Sequence, residues 1–180
     1  MCQWNVRMAE VCAVIDGILA VIHPRLAHAG ASAMAKIKEE AASRRSGHPH
    51  FTSRSSISRW PTVFNAIHVI CNRATIYHRD KNALPGWFDG LLSVGDYDRG
   101  AVLSFRNLGF CVPYDSGSLA FLSSKVVVHG VPDVDGNRLC LAFIMDESIH
   151  SHYQVPSPGW SRFPKVIPGM SGVCRGNDVI

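Results

Sequence analysis

Short runs of β-branched, aliphatic and aromatic residues follow one another from residue 62 to residue 146, and turn residues separate them. The turn signals include Pro85-Gly86, Asp115-Ser116-Gly117 and Asp135-Gly136. Many short strands at this spacing are typical of an all-β sandwich or barrel. The predicted strands are Val63–Cys71, Leu91–Tyr97, Val102–Phe105, Phe110–Val112, Leu119–Leu122, Lys125–Val131 and Leu139–Met145.

The region before the strands has a helical pattern. Apolar residues recur at three- and four-residue spacing from Val11 to Ile22, which predicts a buried amphipathic helix. Pro24 ends this helix and can begin a second one. A secretory signal is the alternative interpretation, and we disfavour it because Asp16 interrupts the apolar stretch. The apolar side of the second helix would carry Leu26, Met34, Ile37 and Ala41.

We expect three regions: N-terminal supporting helices and a basic linker (1–60), a β core (61–153) and a Pro/Gly-rich tail (154–180). No apolar run reaches the roughly 18–20 residues of a membrane-spanning helix, so we expect no membrane partner. The linker is Ser-rich and has no acidic residue between 43 and 59. It is either a phosphate-contacting loop or a solvated connection. Its arginines are Arg44, Arg45, Arg54 and Arg59.

Charge and cysteine content restrict the function only broadly. The net charge of +4 is compatible with a polyanionic partner but does not require one. The six cysteines include no C-x-x-C pair, which excludes zinc ribbons and thioredoxin-type motifs. Cys71, Cys111 and Cys140 have apolar neighbours, so we expect reduced thiols and an intracellular protein.

The tripeptide His78-Arg79-Asp80 is the first candidate for a metal site. In an extended segment, residues two apart project from the same face, so His78 and Asp80 can bind one ion together. Two histidines and one carboxylate suit Fe(II) and leave coordination positions open for substrate and O2. We predict His129 as the second histidine, although a buried core histidine is the competing interpretation of that position.

Arg138 extends the candidate site through a predicted hairpin. Asp135-Gly136 is a strong two-residue turn signal, and a hairpin about it pairs His129 with Ala142. Arg138 then points to the same face as His129, roughly 13 Å away at about 3.3 Å per residue. That span suits a five-carbon diacid bound to the metal, whose far carboxylate the guanidinium would hold with two hydrogen bonds. The competing interpretation of Arg138 is a surface residue at the start of a strand.

Five segments of the β region match, in order, the pattern of one enzyme family: Asn72–Asp80, Trp87–Tyr97, Tyr114–Gly117, Val128–Val131 and Asn137–Cys140. The chain here resembles the Fe(II)- and 2-oxoglutarate-dependent dioxygenases, and within them the TET/JBP-type oxygenases, especially the group expanded in mushroom-forming fungi. The resemblance covers about residues 61–153. It implies a mainly β fold with flanking helices, whose core is a double-stranded β-helix of the jelly-roll or cupin-like kind. It also implies iron ligation by His78, Asp80 and His129, and 2-oxoglutarate binding by Arg138 with Cys140 nearby.

The resemblance further implies a substrate. In this family Fe(II), 2-oxoglutarate and O2 oxidise a C–H bond and release succinate, and TET/JBP relatives oxidise methyl groups on pyrimidines, above all 5-methylcytosine. We therefore expect a nucleic-acid partner, DNA rather than RNA, and a nuclear location. The target base must flip out of a duplex to reach the pocket. Tyr77, Asn82 and Trp87 are candidate base contacts, with core packing or a turn role as the alternatives.

Two other interpretations stay open. The same chemistry on a protein side chain or small molecule predicts a closed apolar pocket, whereas base flipping predicts a basic rim. The chain also starts close to its first helix, which is compatible with an incomplete, non-catalytic β module. The sequence does not specify the oligomeric state.

Overall fold

The structure, a computed structural model, describes residues 3–43, 54–81, 83–97, 101–132 and 134–161. Helices precede the strands, as predicted, and one short helix follows them. The helices are α1 (Gln3–Arg7), α2 (Ala9–Ile22), α3 (Pro24–Ser43), α4 (Arg54–Ser58) and α5 (Glu147–His152). The strands are β1 (Ala66–Cys71), β2 (Thr75–His78), β3 (Asp89–Tyr97), β4 (Val102–Phe105), β5 (Phe110–Pro113), β6 (Leu119–Leu122), β7 (His129–Val131) and β8 (Gly136–Ile144).

The strands of the described residues form two four-stranded antiparallel sheets. The first sheet has the order β1-β8-β3-β6, and the second has the order β2-β7-β4-β5. The predicted mainly β fold with flanking helices is thus confirmed, and the two sheets are consistent with a jelly-roll or cupin-like core. The double-stranded β-helix in the strict sense stays a prediction.

Strand β8 lies in the middle of the first sheet, and its two faces contact different parts of the molecule. Leu141 and Phe143 belong to the same apolar cluster as Leu19 of α2, so this face of the sheet packs on the helices. Successive side chains of a strand point to opposite faces. The alternate residues Arg138, Cys140, Ala142 and Ile144 line a cavity on the other face.

A second apolar cluster joins the two sheets. Its buried members come from both sheets and from the loop after β5, and they close the space beside the cavity. They are Leu91, Leu103, Phe105, Tyr114, Leu122, Val131 and Ala142. The molecule is therefore layered in the order helices, first sheet, cavity with apolar cluster, second sheet.

The junction of α2 and α3 is organised by a buried histidine. Pro24 begins α3, as predicted, and the Nδ1 atom of His23 accepts a hydrogen bond from the Leu26 N–H (3.2 Å). The Nε2–H of His23 donates to the Gly86 carbonyl (3.0 Å), which ties the helices to the loop before β3. Both ring nitrogens are satisfied in the neutral form, and burial lowers the pKa of His23.

Two expectations about burial were wrong in part. Helix α2 buries Cys12, Ile15 and Leu19, but Val14 and Val21 on its opposite side are each 62% exposed. Cys71 and Cys111 are exposed, because they lie on the edge strands β1 and β5. Only one side of an edge strand is paired, so apolar neighbours in sequence do not ensure burial. The described cysteines are Cys12, Cys71, Cys111 and Cys140, and all four are free thiols.

The described part of the C-terminal region packs on the helices. Val155 is buried with Ala29 and Ala33 of α3, and the Ser161 hydroxyl donates to the Ile22 carbonyl (2.8 Å). Most of the basic linker and residues 162–180 lie outside the described residues. The proposed boundaries at 60/61 and 153/154 stay predictions. Among the described helices, none has the length and hydropathy needed to cross a membrane.

Candidate metal centre

The predicted hairpin that joined His129 to Arg138 was wrong. Strand β7 pairs with β2 and β4, whereas β8 pairs with β1 and β3, so the two strands lie in different sheets. Ala142 pairs with His68 and Leu91 rather than with His129. A turn signal predicts a change of direction but not the next partner, and β8 needs a central position because both of its faces are buried. His129 and Arg138 nevertheless line the same cavity, from opposite sheets.

The second sheet brings together the three residues predicted as metal ligands. His78 of β2 lies directly opposite His129 of β7, and residues paired in this way point to the same face. Asp80 follows His78 by two residues, and its Oδ1 lies 3.3 Å from the Nε2 of His78. Potential ligand atoms of the three residues all lie within 4.8 Å of one another, and the two imidazole centroids are 4.4 Å apart.

Both histidines are oriented by main-chain carbonyls. The Nδ1 of His78 lies 2.9 Å from the Ile76 carbonyl, and the Nδ1 of His129 lies 3.0 Å from the Val127 carbonyl. A carbonyl only accepts, so each Nδ1 carries a proton, and in the neutral tautomer of each ring the Nε2 atom keeps the lone pair that a metal binds. Burial lowers the pKa of His129, which favours the neutral ring that a metal needs. Two imidazoles in this tautomer and one carboxylate side chain suit Fe(II).

A buried carboxylate supports the segment that carries Asp80. The Asp80 N–H donates to the Ser124 carbonyl (3.1 Å), and the Ser124 hydroxyl donates to the Asp89 carboxylate. Asp89 is 1% exposed, and within the described residues its Oδ1 has no hydrogen-bond partner. Burial raises the pKa of Asp89 to about 7. Ser124 thus connects the buried Asp89 to the main chain of the candidate ligand.

Arg138 lies across the cavity and is held by a hydrogen-bonded network. It is 5% exposed, and its Nε donates to the Ser93 hydroxyl (2.9 Å). The Tyr97 hydroxyl lies 2.9 Å from the same oxygen and donates to the Tyr114 carbonyl (2.7 Å). The guanidinium carbon lies 5.1 Å from the centre of the Tyr114 ring. A buried guanidinium aimed into a cavity is suited to bind a carboxylate.

Sequence reasoning missed the residues that hold Arg138. Ser93, Tyr97 and Tyr114 come from β3 and the loop after β5, and only the sheet register brings them to β8. Asn72 is a further case, because its Oδ1 accepts from the Arg138 N–H (2.8 Å). Asn72 has a φ of 45°, which asparagine adopts more readily than most residues. All four residues lie in segments that resemble the family pattern, but nothing in those segments predicts that their side chains or main chains meet Arg138.

The cavity between the sheets has a volume of about 260 Å³. Besides the residues above, its wall includes Leu91, Leu103 and Val131. The exposed lining residues His68 and Arg73 mark its open side, between the edge strands β1 and β2. Cys140 lines the wall as a thiol 3.8 Å from the Tyr114 hydroxyl, and burial raises its pKa.

Two of the predicted base contacts, Tyr77 and Trp87, do not line this cavity. The ring of Tyr77 lies on the outer face of the second sheet, since a Cβ added at Gly130 would lie 3.2 Å from its Cδ1. Trp87 is 1% exposed and packs 4.5 Å from the His150 ring, and its Nε1 donates to Ser157. This geometry favours core packing, the alternative role, for Trp87. Asn82 lies outside the described residues.

Comparison with known proteins gives one positive finding. No curated protein matches the chain. The family model described as the oxygenase domain of the 2OGFeDO superfamily, the TET/JBP family, matches residues 3–147 and so includes helices α1 to α4 as well as all the strands. The chain therefore belongs to the TET/JBP oxygenases, in the superfamily that uses Fe(II), 2-oxoglutarate and O2.

Proposed function

We propose that this oxygenase oxidises a methyl group on a nucleic-acid base, such as 5-methylcytosine in DNA, and that it does so in the nucleus. The observation that carries the proposal is the convergence of His78, Asp80 and His129 in the same cavity as the buried Arg138. A pyrimidine methyl group as the target follows from the resemblance to TET/JBP oxygenases. The exposed Arg73 and His68 at the open side give the rim some of the basic character that a flipped nucleotide requires.

In this proposal the polar residues at the centre of the cavity bind the metal and the co-substrate. His78, Asp80 and His129 hold Fe(II), and Arg138 binds the distal carboxylate of 2-oxoglutarate. When bound, iron and 2-oxoglutarate supply the oxidation of a C–H bond, coupled to decarboxylation to succinate. Ser93 and Tyr97 hold the guanidinium in place before the co-substrate arrives.

The apolar part of the wall has a separate task. Leu91, Leu103 and Val131 surround the site with hydrocarbon and keep water away from the reacting groups. The same wall favours the second candidate, a small molecule or a protein side chain as the substrate. The two candidates differ in whether methylated DNA stimulates the reaction, so one assay separates them.

The test is succinate release from 2-oxoglutarate with Fe(II) and O2, in the presence of methylated or unmethylated oligonucleotides. We expect succinate release to rise only with the methylated oligonucleotide, and mass spectrometry to detect an oxidised methyl group on it. Succinate release that no methylated nucleic acid stimulates would contradict the base-oxidation proposal and favour the second candidate.

Iron ligation is tested separately by anaerobic Fe(II) binding. We expect His78→Ala to weaken Fe(II) binding by more than about 100-fold, because even residues that only orient ligands contribute about 10- to 100-fold. The exposed His28 on α3 provides the matched control, since it is not among the residues that line this cavity. Equal Fe(II) affinity in the wild type and in His78→Ala would contradict the ligand assignment.

A further inference from the structure

The outer face of the second sheet carries a group of cations beside the metal centre. Because successive side chains of a strand point to opposite faces, His78 and His129 point into the cavity, and their neighbours on the same strands, Tyr77 and Gly130, face outward. The Tyr77 ring lies against Gly130 on the outer face, and the guanidinium carbon of Arg106 lies 5.2 Å from the centre of this ring. The flat guanidinium is therefore held over an aromatic ring, and Arg106 is exposed, with no side-chain hydrogen bond to another described residue.

Further cations continue this face toward the segment of Asp80. The Arg79 Nε donates to the Val126 carbonyl (3.1 Å), and the Lys125 Nζ donates to the Lys81 carbonyl (2.6 Å). Asn107, next to Arg106, also donates to the Val126 carbonyl (3.2 Å), so the turn at 123–128 connects the two groups. We call the set of Tyr77, Arg79, Lys81, Arg106 and Lys125 the cationic face.

The charge of this face is one-sided. Segments 73–81, 101–113 and 123–131 carry this face and the neighbouring Arg73, and they contain five Lys and Arg residues, four of them in the face. Their single carboxylate, Asp80, points to the metal centre. The whole chain, by contrast, has 18 basic and 14 acidic residues. Within the described residues none of these five cations forms an ion pair with a carboxylate. The cations are Arg73, Arg79, Lys81, Arg106 and Lys125.

The cationic face adjoins the open side of the cavity. Strand β2 is the edge strand of the second sheet and presents His78 inward and Tyr77 outward. Arg73, just before β2, lines the cavity from its open side. A polyanion that lies on the cationic face would therefore run along the rim of the cavity.

We propose that the cationic face binds the phosphodiester backbone of a nucleic-acid strand, with Arg106 and Lys125 each contacting a phosphate. This inference rests on the proposed function, because a strand held along the rim places one of its bases at the cavity. It assigns Tyr77 the role of holding Arg106 rather than of stacking on the target base. Phosphate contacts of this kind depend strongly on salt and little on base sequence.

The test uses fluorescence anisotropy with an unmethylated, fluorescein-labelled DNA single strand. A length of about 20 nucleotides exceeds the site sizes of about 4–16 nucleotides that are usual for single-strand binding. The affinity is measured at several salt concentrations, without iron or 2-oxoglutarate, for the wild type and for Arg106→Gln and Lys125→Gln. The matched control is Arg25→Gln, which removes an exposed arginine from α3 on the helical side of the molecule.

We expect each cationic-face variant to lower the slope of log affinity against log salt by about 0.7, the value for one phosphate contact on a single strand. That change corresponds to roughly fivefold weaker binding at 0.1 M salt. The double variant should lose about twice as much slope, and Arg25→Gln should match the wild type. Circular dichroism checks that the variants fold.

Slopes that stay at the wild-type value in both single variants would overturn the inference. So would a loss of binding to phosphatidylserine vesicles with no change in oligonucleotide binding, which would make the face a membrane surface. The cationic face and the proposed function can fail independently. If the protein oxidises the methyl group but the salt slopes of the variants are unchanged, only the proposed role of the cationic face is overturned. Reduced slopes without any methyl oxidation overturn only base oxidation.

Discussion

Each candidate ligand histidine is oriented by the carbonyl of the residue two positions before it. The Ile76 carbonyl accepts a hydrogen bond from His78, and the Val127 carbonyl accepts one from His129, although the two histidines lie on different strands. In each case a short-range main-chain contact fixes the tautomer that leaves Nε2 free for a metal. The repeated arrangement means that both donor atoms are positioned before any ion binds, and this limits the conformational cost of binding.

Arg138 permits a test of the co-substrate assignment at the level of one side chain. We expect Arg138→Lys to weaken 2-oxoglutarate binding roughly 10- to 100-fold, because lysine keeps the charge but loses the bidentate hydrogen bonds. Fe(II) affinity should be unchanged, since the guanidinium belongs to the opposite sheet. Calorimetric titration of 2-oxoglutarate into the Fe(II)-loaded, anaerobic protein measures the effect. Arg25→Lys is the control, and equal affinities in the two variants would contradict the assignment.

Strand β3 approaches β8 closely at the level of Arg138. Gly95 pairs with Arg138 in the register, and a Cβ at Gly95 would clash with the Asn137 carbonyl oxygen. Gly95 also has a φ of 140°, which L-residues rarely adopt. The position of Arg138 therefore depends on a glycine in the neighbouring strand.

We expect Gly95→Ala to destabilise the fold by about 2 kcal/mol or more, because the chain must relieve both the clash and the unfavourable φ. Gly17→Ala in α2 is the matched control, since a Cβ there meets nothing within 4 Å. In a helix interior this change should stabilise by up to about 1 kcal/mol. Urea unfolding measures both variants, and a Gly95→Ala variant as stable as the wild type would contradict the expected clash.

The Asp89–Ser124 contact joins the start of β3 to the turn before β7, and it predicts a pH dependence. Burial raises the pKa of Asp89 from 3.8 to about 7, so the folded protein retains a proton that the unfolded chain releases. The resulting stabilisation is fully present below pH 4 and is lost as the pH rises to about 7. Each pH unit in this range changes the free energy of unfolding by at most about 1.4 kcal/mol.

We therefore expect the stability of Asp89→Asn, relative to the wild type, to increase between pH 5 and pH 7. Denaturant midpoints of the metal-free protein at several pH values measure the difference. Asp96→Asn, an exposed change on the same strand, is the matched control. A constant difference between Asp89→Asn and the wild type over this range would show that Asp89 does not titrate there.

The predicted strand bounds agree with the structure for some strands and not for others. The bounds of β4 and β6 match the predicted Val102–Phe105 and Leu119–Leu122. The run from Lys125, by contrast, forms a strand only from His129, although Val126, Val127 and Val128 favour β structure. Residues 123–127 instead form a turn, in which Val126 and Val127 donate to the Ser123 carbonyl. The β propensity of these valines does not decide the structure here, because the turn forms hydrogen bonds with the Asp80 and Asn107 segments, which are distant in sequence.

In the candidate site too, local features were predictable from the sequence, whereas contacts that depend on the pairing of distant strands were not. The spacing of His78 and Asp80 predicted that these two side chains meet, because alternation along a strand is a local property, whereas His129 was assigned from its place in a predicted strand and from the resemblance to the family, and not from spacing. The pairing of β7 and β8 was wrong because the choice between a hairpin and a crossover depends on the burial of both faces of β8. The network of Ser93, Tyr97 and Tyr114 was missed for the same reason, since it exists only once β3 and β8 are paired.

The helices and the first sheet share one apolar cluster, so we expect the molecule to unfold in a single transition. Leu19→Ala in α2 should reduce the free energy of unfolding by about 2–5 kcal/mol, because Leu19 is fully buried against the sheet. The exposed Val14→Ala should change it by no more than about 0.5 kcal/mol. Far-ultraviolet circular dichroism and tryptophan fluorescence measure the transitions. Separate transitions for the two signals would instead make the helical region an independent folding unit.

Within the part of the chain that the structure describes, side chains at the margins of two strands border the entrance to the cavity. His68, Ile70 and Thr75 reach it from β1 and β2. They belong neither to the candidate metal ligands nor to the hydrogen-bonded network that holds Arg138. Substitutions at these positions can alter which molecules are admitted without disturbing the chemistry behind them. A small library restricted to these three codons would therefore vary the selectivity of the catalyst while its reactive machinery stays constant.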